Sequence, residues 1–154
     1  MITALSTEEL ALLAQSTFAD TAFLITDLAA DATAPAQAWL CAVIGFEAEV
    51  KGRLVLAATT GLATQLAADM LCVDAADEQA VLQAGGALAE LANVFAGVLV
   101  PRVFGERGRW ALGLPSVSHA EPPVGTHERA RTVTLMSDAG HPIRVELVLE
   151  NQAA

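Results

Sequence analysis

The stretch Gly85 to Pro101, GGALAELANVFAGVLVP, limits what this chain can fold into more than any other, because it reads as a helix with a broad core face that also carries a carboxylate and an amide. At about 100° per residue, positions 86, 93 and 97 fall within roughly 60° of Glu90, whereas Leu88, Leu91, Phe95, Val98 and Leu99 spread over roughly 80° to 180°. The apolar set must face a core. The remaining stripe is Gly86, Glu90, Asn93 and Gly97, two polar groups bracketed by glycines one turn away on each side. Asn is poorly suited to a helix interior because its side chain competes for backbone hydrogen bonds. A glycine there costs about 1 kcal/mol against Ala, so two on one stripe imply that something approaches closely. Pro101 predicts a kink or an end to the helix, since its ring clashes with the carbonyl of residue 97.

The other segments supply the layer against which this helix packs. STEELALLAQSTFADTAFLITDLAA opens with Ser6 and Glu9 in capping-box spacing and places Leu10, Leu13, Phe18, Leu24 and Leu28 near a 3.6-residue period, predicting a first helix through residue 30. AWLCAVIGFEAE and GRLVLAAT, separated by Val50, Lys51 and Gly52, read as neighbouring strands, the first central in its sheet because it is a continuous apolar run. TTGLATQLAADML follows as a second helix capped by Thr59 or Thr60. A third, long helix then starts at Asp74 or Asp77, with acids in its first turn. Strand-like pieces surround Pro115, and DATAPAQ and PPVGTHE read as loops. RTVTLM and IRVELVLE alternate about SDAGHP as a hairpin, with Ile143, Val145, Leu147 and Leu149 toward the core and Arg144, Glu146 and Glu150 toward water. The expectation is an α/β (α+β) two-layer fold of about three helices on an antiparallel or mixed sheet. With no repeat or dividing linker, residues 1–154 are expected to form a single domain.

Charge narrows the function. The formal net charge of −10, with one Lys and seven Arg, leaves no basic patch for a nucleic-acid backbone. The first residues lack a secretory pattern, and no run approaches the roughly 18 apolar residues that span a bilayer, so a cytoplasmic protein without membrane attachment is expected. Cys41 and Cys72, each in apolar surroundings, are expected to be buried free thiols. His119 and His127 with Glu121 and Glu128 match no familiar metal spacing, and Arg102, Arg107 and Arg109 complement a helix C-terminus or are solvated.

On several strings the chain resembles the CheX branch of the CheC/CheX/FliY chemotaxis phosphatase family. VIGFEAEVKGRLVLAATTGLATQLAADML is similar to that family's strand, short turn, strand and helix. An acidic spacer follows, then a long helix carrying Glu-x-x-Asn, here Glu90-Leu91-Ala92-Asn93, with Ala96 and Gly97 after it and Pro115 near the place of a family proline. The resemblance spans roughly residues 5 to 150. Two departures stand out: Gly86 replaces the usual Asp or Ser, and the first helix lacks the second Glu-x-x-Asn of CheC-type members.

The resemblance implies hydrolysis of the aspartyl phosphate on a phosphorylated CheY-like response regulator, with Glu90 and Asn93 catalytic and Gly86, Glu90, Asn93 and Gly97 lying against the partner. It implies that this chain binds no cofactor, the regulator bringing its own Mg²⁺, and that the protein is a homodimer. The alternative, favoured by Gly86, is a CheX-like regulator-binding or dimerisation module of weak or absent turnover.

Overall fold

The computed structural model describes residues 5–29, 38–120 and 130–150. Seven strands and four helices alternate along them: α1 (Thr7–Ala22), β1 (Thr26–Leu28), β2 (Trp39–Glu47), β3 (Lys51–Thr59), α2 (Thr60–Leu71), α3 (Glu78–Leu82), α4 (Ala84–Phe104), β4 (Ala111–Leu112), β5 (Ser116–Ser118), β6 (Ala130–Ser137) and β7 (Pro142–Leu149). The strands form one sheet in the order β1-β6-β7-β3-β2, with β4 and β5 both pairing along the far side of β2, and every pairing is antiparallel. The helices cover one face, which makes the two-layer α/β architecture the sequence predicts.

Alternation along the strands produces the core. Leu40, Ala42, Ile44 and Phe46 of β2, Leu54, Leu56 and Ala58 of β3, Val133 and Leu135 of β6, and Ile143, Val145 and Leu147 of β7 are buried under the helices. Against them α4 places Leu88, Leu91, Phe95 and Leu99, each at most 5% exposed. Phe95 meets Phe18 of α1 edge-on at a centroid distance of 5.6 Å, a geometry that adds to plain area burial. Among the described residues α4 is the one helix long and apolar enough to cross a membrane by length and composition. Its apolar residues instead fill the core beneath the sheet.

Several boundaries differ from expectation, for local reasons. Helix α1 does not run to residue 30: it ends at Phe23, whose φ of 53° is left-handed, and the chain then enters β1 beside β6. The Ser6–Glu9 capping box is present in both directions. The β2–β3 turn lies at residues 48–50, and β2 has neighbours on both sides although β7 and β3 are the central pair. Thr59 caps α2, its hydroxyl accepting from the Leu62 N–H. The expected single third helix is two, because Gln83 sits at φ −96°, ψ 4° and divides α3, capped by Asp77, from α4. Helix α4 passes Pro101 and ends only at Gly105, φ 88°. Residue 97, whose carbonyl loses its partner to the proline ring, is exposed, so water can take that bond.

The other sheet face is less open than the alternation implies. Glu146 is 4% exposed, not turned to water, and accepts from the Thr132 hydroxyl at 3.5 Å beside a small cluster of Trp39, Cys41, Val55 and Ala57. Arg144 is half-buried and Glu150 is exposed, as is the hairpin turn with Gly140 at φ 84°. Cys41 is buried, but Cys72 is exposed as the left-handed cap of α2. The DATAPAQ and PPVGTHE segments lie outside the described residues.

Candidate functional site

The candidate site is the one stripe of α4 that neither the sheet nor another helix covers. Gly86, Glu90, Asn93 and Gly97 are all exposed, while Ala87, Leu88, Leu91, Ala92, Phe95 and Ala96 between them are buried. Helical spacing puts Glu90 and Asn93 on one side of the cylinder, and the packing of the opposite side fixes which way that stripe points. Val98, read from the periodicity as core, is instead 40% exposed at the edge of this surface.

Neither the Glu90 nor the Asn93 side chain has a hydrogen bond or ion pair among the described residues. Both therefore present their full bonding capacity outward: the carboxylate as an acceptor for a cation, the amide as one acceptor and two donors able to hold a water. The glycines are not required by this chain itself. A Cβ at Gly97 would meet nothing within 4 Å, and one at Gly86 would meet only the Gln83 side-chain oxygen at 3.4 Å, an ordinary contact. Neither has a positive φ. Two residues that cost helix stability thus stand where the fold would accept a side chain.

The surroundings add residues the sequence reading did not single out. Beside Gly86 and Glu90 the end of α2 leaves Met70 57% and Leu71 45% exposed. Together with Ala67, Gln83, Gly86, Ala87 and Glu90 they line an open groove of about 370 Å³. Met70 lies one helical turn beyond buried Leu66, so periodicity alone places it in the core; its exposure depends on where α3 and α4 leave the end of α2 uncovered. At the other end of α4, Arg102 sits in the last turn, where a cation favours the helix dipole, and borders Leu5 and, on α1, Glu9, Leu12, Leu13 and Ser16. Arg107 and Arg109 are exposed beyond the helix. His119 is exposed, whereas Glu121, His127 and Glu128 lie outside the described residues. Among the described residues no three His, Cys, Asp or Glu side chains gather in a way that could hold a metal ion.

Comparison with known proteins gives this arrangement a context. Residues 40–135 match the family model described as chemotaxis phosphatase CheX. No curated protein sequence matches the chain. Among solved structures, a chain of the CheX–CheY–BeF₃–Mg²⁺ complex from Borrelia burgdorferi superposes with a TM-score of 0.70 at 17% identity, over 96% of this chain and 100% of that one. A chemotaxis protein CheX from Desulfovibrio desulfuricans gives 0.69 at 14% identity, over 94% and 98%. FliY of Thermotoga maritima gives 0.58 at 12%, over 88% and 82%.

Proposed function

The chain belongs to the CheX family of chemotaxis phosphatases, and from that premise we propose that it hydrolyses the aspartyl phosphate of a CheY-like response regulator, with Glu90 and Asn93 as the catalytic pair. The observation that carries this reading is the pair itself: a carboxylate and an amide without partners among the described residues, on an exposed stripe whose glycines the fold does not need. We read residues 1–154 as one such domain, cytoplasmic, and acting as a homodimer.

So sparse a site suits the chemistry. In phosphoryl transfer through a loose transition state the protein's work is positioning and charge stabilisation, with little covalent participation. Water adds to phosphorus as the bond to the aspartyl oxygen breaks, releasing inorganic phosphate and the free carboxylate. Asn93 orients that water: a neutral amide holds it in line without repelling the anionic phosphoryl group. Glu90 pairs with a lysine of the regulator and sets the register of docking. The Mg²⁺ that neutralises developing charge belongs to the regulator. The Borrelia complex holds CheX, CheY, BeF₃ and Mg²⁺ together, which supports a partner of this kind.

Gly86 favours a second reading, a module that binds the regulator and dimerises with weak or no turnover, because the Asp or Ser usual in the family at this position is missing here. The decay of a phosphorylated receiver in Mg²⁺, followed with and without this protein, separates the two. Faster decay supports the phosphatase; unchanged decay with measurable binding supports the module.

A further inference from the structure

The groove between α2 and α4 extends the stripe sideways and has a chemistry of its own. It is lined by Ala67, Met70, Leu71, Gln83, Gly86, Ala87 and Glu90, and of these Glu90 alone is charged. Two observations mark it as built for something outside the chain. Met70 and Leu71 remain 57% and 45% exposed although they sit at the end of a helix whose preceding turn, Leu66 to Ala68, is buried. Gly86, which opens the groove onto the stripe, has an ordinary helical backbone and room for a side chain, so its missing Cβ serves neither backbone nor internal packing.

Resting on the phosphatase reading above, we propose that this groove receives an aliphatic side chain of the receiver domain that stands next to the lysine paired by Glu90. The groove's charge selects that occupant. A lining that is apolar apart from the neutral amide of Gln83 and the carboxylate of Glu90 repels a phosphate or an acidic side chain and accepts a hydrocarbon group flanked by a cation. The chain's net charge of −10 also means that an acidic receiver is repelled at long range. Against such a receiver short-range apolar burial adds attraction that net charge does not, and the groove offers exposed apolar surface next to Glu90. A side chain at position 86 would occupy the same space, so Gly86 determines which receivers fit.

The test measures how much of this protein gives half-maximal acceleration of receiver dephosphorylation, using each single-domain receiver of the source organism phosphorylated with acetyl phosphate in Mg²⁺. Gly86→Leu fills the groove from inside, and Met70→Glu places a charge in its wall. Ala139→Glu, in the exposed β6–β7 turn, controls for the added charge. Gly86→Leu and Met70→Glu are expected to raise the half-maximal concentration by about tenfold or more, as loss of a central apolar anchor does, with the rate at saturation within about twofold of wild type and Ala139→Glu unchanged. Circular dichroism and melting of each variant confirm folding, and Gly86→Leu is expected to melt higher. If either groove variant keeps the wild-type half-maximal concentration while Asn93→Ala still abolishes acceleration, the groove proposal fails and the phosphatase reading stands. If wild-type protein accelerates no receiver, both fall together.

Discussion

Glu90 and Asn93 differ in what their loss should do, because one is assigned to docking and the other to the attacking water. Glu90→Ala is expected to raise the receiver concentration needed for half-maximal turnover by about tenfold or more, the usual consequence of removing one side of a partly desolvated charge pair, with a smaller change at saturation. A pure loss of rate at saturation, with affinity unchanged, would reassign Glu90 to chemistry. The two cysteines offer a test of the packing. Burial, and then the negative charge of Glu146, pushes the Cys41 thiol up from its ordinary value, so it stays protonated and sheltered in the folded protein. Cys72 is exposed. A thiol reagent at mildly alkaline pH should therefore label one thiol per folded chain, lost in Cys72→Ala, and reach Cys41 only on unfolding. Two fast thiols would contradict the burial of β2. At this scale the sequence was a good guide wherever a residue's role follows from helical period. Glu90, Asn93, Gly86 and Gly97 lie on one exposed stripe as the spacing requires. It misled where burial depends on a second layer: Glu146 alternates correctly to the far face of β7, yet the cluster around Trp39 and Val55 keeps water from it.

Helix α4 carries both the core and the candidate site, and the two compete. Gly97→Ala meets no atom within 4 Å, so it should stabilise the protein by about 0.5–1 kcal/mol through helix propensity. The same methyl group stands where a partner is proposed to lie flat, and receiver affinity should fall. Chemical denaturation and the dephosphorylation assay on one variant read both effects; a stabilised protein with undiminished affinity would show that the glycine serves no contact. The existence and type of the major elements were legible because β2, β3, β6, β7, α2 and α4 have long apolar patterns. Strand β1 was not, since Leu24 and Leu28 continue the period of α1, and the left-handed residue that ends the helix is Phe23 rather than a glycine. Only pairing with β6, distant in sequence, makes Thr26–Leu28 a strand. The break at Gln83 likewise has no proline or capping side chain to announce it.

For the whole molecule, sheet edges and partner decide the predictions. Both edges are short, β1 on one side and β4 with β5 on the other; they carry exposed Leu28 and Val117, with exposed Ile25 and Leu114 beside them. Edges with apolar side chains and no further strand among the described residues invite association, which supports the proposed homodimer. Light scattering at micromolar concentration should return twice the chain mass, and a monomer throughout would remove that part of the account. The fold as a whole was legible through the succession of strand pair, helix, long helix and hairpin, whereas the groove beside α4 was not, because it exists only where α2, α3 and α4 meet. The central claim is that Asn93 accelerates loss of phosphate from a regulator, and the most direct measurement is the decay rate of a phosphorylated CheY-like receiver in Mg²⁺ at saturating wild-type protein against saturating Asn93→Ala. The account predicts decay well above the spontaneous rate with wild type, and a return to the spontaneous rate with a folded Asn93→Ala; equal acceleration by the two proteins would contradict it.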